Sequence, residues 1–159
     1  MKVYDTDPLV PYKSTNINAA RSKQMIEGTL AEYGIIDYGW RWHPKDNHVI
    51  LFFGIDETLN GKRVTNRVRI EAPLIYHKAT KKTSEYVNWD VSLRVVYWYV
   101  LTHLQASYVL GRTRLEEFLP NVVLSLKDGS ERRLGEVLAV NGHDLETMAK
   151  ALPEKEILT

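Results

Sequence analysis

The chain has no cysteine among its 159 residues, which excludes a disulfide framework, a thiolate zinc site and a cysteine nucleophile, and fits a reducing, cytoplasmic compartment. It also lacks an excess of either charge, with 21 lysines and arginines against 20 acidic residues. No global field therefore draws it to nucleic acid or an anionic membrane, and any such partner must meet a local patch. Long hydrophobic runs are missing too. The most apolar stretch, Val91 to Leu110, is broken by Arg94, His103 and Gln105, and its uninterrupted part runs only from Val95 to Leu101. That suits a buried core helix and falls short of a membrane span. Met1 to Asn18 carries Asp5, Asp7, Pro8 and Pro11 where a secretory signal has a basic stretch and an apolar run, so none is expected.

What remains is an ordinary globular composition, 44% hydrophobic and 26% charged, of a length for which one core suffices and roughly two-thirds of the unfolded surface is buried. Residues 1–14 read as an extended arm, residues 15–138 as one α+β domain, and residues 139–159 as a short helix near Leu145–Leu152 followed by a tail. A first helix runs from about Thr15 to Tyr33, with Asn16 or Asn18 as N-cap, Ile26, Leu30 and Tyr33 on one stripe, and Gly34 as its stop.

The period then switches to two. Ile36, Tyr38, Trp40 and Trp42 alternate with Asp37, Gly39, Arg41 and His43; after a turn at Pro44–Asn47, Val49, Leu51, Phe53 and Ile55 do the same. Asn60-Gly61 is a strong hairpin signal leading into a third strand through Val64, Val68 and Ile70. The turn lengths predict a register, pairing His43 with His48, Trp42 with Val49, Trp40 with Leu51 and Tyr38 with Phe53. On the other side they pair Ile55 with Asn66, Phe53 with Val68 and Leu51 with Ile70. Both place apolar sets on one face, which predicts a three-stranded antiparallel meander. Residues 77–88 have no period and read as a loop, followed by a long helix from about Asp90 to Leu110 that Gly111 stops. Thr113-Arg114-Leu115-Glu116 fits a capping box for a short helix ending at Pro120. The segment from Val122 to Leu138 fits either a hairpin or a turn followed by a helix. The expected fold is α-β-β-β-α, two helices covering one face of the meander, with a small C-terminal helical extension.

That order is shared with double-stranded-RNA-binding domains, but their lysine-rich opening of the second helix is replaced here by Asn88-Trp89-Asp90. The chain also resembles small uncharacterised proteins encoded by bacteriophages and other mobile elements. These join a helix ending like IEGTLAEYGI to strands like VILFFGIDETLNGKRVTNRVRI, then a long helix and a tail like EEFLPNVVLSLKDGSERRLGEVL. The resemblance covers roughly residues 15–138, brings no catalytic residue, and implies a setting where nucleic-acid transactions and interference with host machinery are common.

The register assigns Asp37, Gly39, Arg41, His43, His48, Ile50, Phe52, Arg63, Thr65, Arg67, Arg69 and Glu71 to the face away from the helices. One reading makes this a binding platform for single-stranded DNA or RNA. Arg41, Arg63, Arg67 and Arg69 would contact phosphate, Phe52 would stack, Gly39 and Gly54 would admit a ligand to the backbone, and Lys62, Lys78, Lys81 and Lys82 would extend the rim. The other makes the arginines and threonine ordinary solvated strand positions, with Ile50 and Phe52 covered by the C-terminal segment. His43 and His48 face each other across a turn and form a weak candidate metal pair, with Asp46 or His77 as a third ligand. His103 reads as a core histidine making one hydrogen bond. Asp56, Glu57 and Glu71 sit where a restriction-type nuclease carries carboxylates, but Pro73 occupies its lysine position. No GxSxG, P-loop or GxGxxG is present, so acyl transfer, Walker-type nucleotide hydrolysis and dinucleotide binding have no support; no cofactor is expected, and the reading leans away from an enzyme without excluding one. The alternative function is a protein-interaction or structural subunit, self-associating or docking on a host or viral protein, with the aromatics Tyr97, Trp98, Tyr99 and Tyr108 of the long helix as anchors.

Overall fold

A computed structural model describes residues 1–140, so the helix expected at Leu145–Leu152 lies outside the described residues. The fold is α+β. Helix α1, Ala19–Glu32, starts where the Asn18 side chain accepts from the Arg21 amide at 2.8 Å and stops in a Schellman motif. Gly34 takes φ 73°, its amide donates to the Ala31 carbonyl, and that of Ile35 donates to the Leu30 carbonyl at 2.8 Å. The motif turns Ile35 inward, 3% exposed, and throws Ile36 outward, 85% exposed. Ile36 therefore does not join the inward stripe its alternation predicted.

Strands β2 (Tyr38–His43), β3 (His48–Leu59) and β4 (Lys62–Glu71) form the meander in that order. All seven residue pairs expected from the turn lengths occur. The reason is local: Asn47 at φ 53° closes the first turn, and Asn60 and Gly61, at φ 52° and 75°, form the left-handed pair of a tight hairpin. Helix α2, Trp89–Leu110, crosses the inward face, and Gly111 ends it at φ 64°. Ile26 and Leu30 of α1, Leu93, Val96, Val100 and Leu104 of α2, and Val49, Leu51, Phe53, Ile55, Val68 and Ile70 of the sheet make one core. Burying each such side chain contributes roughly 1.5–3 kcal/mol. Helix α3, Arg114–Phe118, opens with the expected capping box and drives Phe118, fully buried, edge-on against Phe53 at 5.2 Å. His103 sits beside it, its Nδ1 2.8 Å from the Tyr99 carbonyl.

Two segments depart from the sequence reading. Residues 77–88 are not a plain loop: β5 (Ile75–His77) and β6 (Tyr86–Val87) pair antiparallel, and β1 (Val3–Tyr4) of the N-terminal arm adds to β5 in parallel. A buried carboxylate fastens this second sheet. Asp5 Oδ2 lies 2.8 Å from His77 Nδ1 and accepts from Asn88 Nδ2 at 2.8 Å, and Asn88 also caps α2. Burial pushes the Asp5 carboxyl up, but the Asn88 and His77 contacts outweigh it and hold the group below its ordinary value. Beyond α3, both forms weighed for Val122 to Leu138 occur in succession: a hairpin of β7 (Val123–Ser125) and β8 (Glu131–Arg133), then helix α4, Leu134–Val140. A bridge between Val68 and Val122 sets this segment along the open edge of β4.

Candidate functional site: a glycine-floored groove on the outer sheet face

Because β3 alternates strictly, its even-numbered residues face away from the helices, and two glycines interrupt that face at adjoining places. Gly39 pairs with Phe52, which pairs with Arg69; Gly54 pairs with Arg67 and, through its amide to the Asp37 carbonyl at 2.9 Å, continues the ladder to Asp37. The missing side chains leave a cavity of about 350 Å³ lined by Asp37, Gly39, Phe52, Gly54, Thr65 and Arg67 among others. A second, of about 250 Å³, shares Asp37, Gly54 and Thr65 with it and extends to Asp56, Arg63 and Arg114. A Cβ on Gly54 would stand 3.1 Å from Asp37 Oδ2 and 3.2 Å from Thr65 Cγ2. The glycine is what keeps the groove open.

Electrostatically the groove is mixed, not basic. Arg63 is paired with Asp56, Arg67 with Glu131 of β8, and Arg69 with Glu71 and with Glu136 of α4 at 3.1 Å each. Hydrogen bonds from Arg63 and then Thr65 pull the Asp56 carboxyl below its ordinary value. Burial pushes Glu136 up, yet the amide and guanidinium of Arg133 outweigh it and hold it low. Arg63, Arg67 and Arg69 thus each have a carboxylate beside them that offsets their charge. Arg41 differs. Its guanidinium lies over the Phe52 ring, 5.2 Å from the centroid, and among the described residues no carboxylate pairs with it.

The residues singled out from sequence are thus only partly brought together. Arg41, Phe52, Arg67 and Arg69 share the part of the face around Gly39 and Gly54. Arg63 lines the adjoining cavity, and Lys62 stands at the hairpin tip opposite Leu59. Lys78 belongs to the second sheet's side, its ammonium 5.2 Å from the Tyr4 ring. Ile50 is buried at 4% although it lies on the outer face, while Phe52 is half-buried. His43 and His48 pair in register, but His77 is held by Asp5, and no cluster of three potential ligands forms among the described residues. Asp56 and Glu71 are held by arginines, and Glu57 accepts from the Leu115 amide at 3.4 Å, so the carboxylates do not converge on an open position.

Sequence reasoning missed Asp37 as a groove wall, Arg114, and the neutralising Glu131 and Glu136. The first was visible as the residue facing Gly54 once the register was extended by one pair. The last two come from beyond residue 130 and carry no signal in the strand pattern. No family model, curated protein or solved structure matches the chain.

Proposed function

We propose that the chain is a non-enzymatic binding protein whose outer groove holds single-stranded nucleic acid by its bases more than by its phosphates, in the mobile-element setting its resemblance implies. The observation that carries this reading is the open floor at Gly39 and Gly54 beside the stacked Arg41–Phe52 pair. A base entering there meets a planar cation and ring to stack on, the Asp37 carboxylate to accept its amino or imino hydrogens, and Arg67 and Thr65 to donate to its carbonyls. Three of the four arginines are already matched by carboxylates, so few counterions are displaced and the salt dependence is shallow.

Fluorescence anisotropy with labelled single- and double-stranded DNA and RNA across a salt series tests it. Single strands should be preferred, with a log–log slope of about −1 to −2. Phe52→Ala should remove roughly 1–3 kcal/mol of binding, the worth of one stacked base. Absence of binding at low salt discards the reading. A second reading then stands, favoured by the far end of α2, where Tyr108, Val109 and Leu110 are 82%, 76% and 59% exposed. Such a patch suits a protein partner bound independently of salt.

A further inference from the structure

Among the described residues the edge of the meander formed by β2 is unpaired, and its hydrogen-bonding phase is fixed. The Gly54 amide donates to the Asp37 carbonyl. Backbone groups in an antiparallel ladder alternate in direction, so those of Asp37, Gly39, Arg41 and His43 point at β3. Those of Tyr38, Trp40 and Trp42 point away from the sheet, where no backbone partner is found among the described residues. The strand itself carries none of the usual blunting devices: Tyr38–His43 contains no proline, no lysine and no bulge. An edge of this kind templates another strand.

The side chains select which strand. In a symmetric antiparallel pair only outward-directed residues can exchange hydrogen bonds, so even-numbered residues must face even-numbered ones. The two-fold axis then passes through a single residue of the strand. An axis at Arg41 sets like charges opposite each other. One at Tyr38 requires Ile35, which is buried in the core. One at Trp40 sets Arg41 opposite Gly39 and Asp37 opposite His43, so Arg41 meets no carboxylate across the seam. An axis at Gly39 leaves no such conflict. It sets Asp37 opposite Arg41 of the second copy, twice, and neither has an ion-pair partner among the described residues of its own chain. On the other face it sets Tyr38 opposite Trp40, covering a tyrosine that is 39% exposed in the single chain. At the axis itself a Cβ on Gly39 would meet nothing within 4 Å.

We propose that β2 pairs with β2 of a second copy about a two-fold axis at Gly39, joining two three-stranded sheets into one continuous sheet with two outer grooves side by side. This goes beyond the ligand reading and does not depend on it.

The absence of cysteine makes the test direct. At a non-hydrogen-bonded pair the α-carbons lie about 4.5 Å apart, within the range a disulfide spans. Under mild oxidation the full chain carrying Gly39→Cys should run as a covalent dimer on a non-reducing gel. Arg41→Cys alone should not, whereas Asp37→Cys mixed with Arg41→Cys should give the cross-linked pair. Sedimentation equilibrium of the unmodified chain should show a mass rising toward twice 18.4 kDa with concentration. Asp37→Arg or Arg41→Asp should weaken association by about tenfold, and the double exchange should restore it. A strict monomer at every concentration, a cross-link maximum at another position, or charge reversals without effect each overturns the proposal.

Discussion

Replacing Glu131 with glutamine removes one negative charge from the groove's margin while preserving shape. Glu131 pairs with Arg67, and each side chain is half exposed, a setting in which an ion pair is worth about 0–1 kcal/mol. Stability should therefore hardly move, and thermal unfolding followed by circular dichroism checks that. The effect on binding is larger. Arg67, no longer held by Glu131, can reach a phosphate beside the base it otherwise donates to, and each added phosphate contact steepens the log–log salt dependence for a single strand by about 0.7. Over a roughly twentyfold span of salt, from 1 M to 50 mM, that slope amounts to about an eightfold gain in affinity. The assay is anisotropy titration of a labelled single strand at five salt concentrations, with Arg67→Ala and the double variant alongside. Glu131→Gln should bind more tightly and fall off more steeply. In the Arg67→Ala background the same change should do nothing. If Glu131→Gln leaves both affinity and slope unchanged, or raises affinity equally without Arg67, the assignment of Arg67 to the ligand is refuted.

Other outcomes follow from the packing and the buried charge. Phe118→Ala removes the anchor of α3 against Phe53, Tyr99 and His103 and should cost about 3–5 kcal/mol, read as a lowered thermal midpoint. Gly54→Val should close the groove by driving into Asp37 and Thr65, reducing ligand binding at least about tenfold while lowering stability by roughly 1–3 kcal/mol. Asp5 has its folded pKa depressed, so its contribution is present above the unfolded value of about 3.9 and lost as pH falls through the folded one. Asp5→Asn should be less stable than the natural chain by roughly 1.5–3 kcal/mol at pH 6, and melting curves of the two should draw together as pH falls below the ordinary carboxylate range.

The features that sequence revealed are those whose cause is local. Asn60-Gly61 sets a hairpin of one length, Pro44–Asn47 sets another, and with both turns fixed every pairing of the meander is determined. The capping box at Thr113 and Glu116 and the glycine after Leu110 likewise act within one turn of chain. Ile36 escaped because a helix-ending motif overrode the alternation that starts beside it. β1, β5 and β6 are two or three residues each, too short for a period, and exist because Asp5, His77 and Asn88 draw them together. At the groove, the register put Arg67 and Arg69 on the right face. Their charge state depended on Glu131 and Glu136, about 64 and 67 residues away along the chain, and no strand pattern reports a partner at that distance.

The arm illustrates such separation. Val3 and Tyr4 can pair only with Ile75 and Tyr76, and the carboxylate that secures them waits for Asn88. Closing a loop of that size carries a large entropic cost before any contact repays it. The arm's pairing thus spans the whole length of the meander in sequence, and the Asp5 carboxylate works as a clasp that ties the segment before α1 to the segment that opens α2.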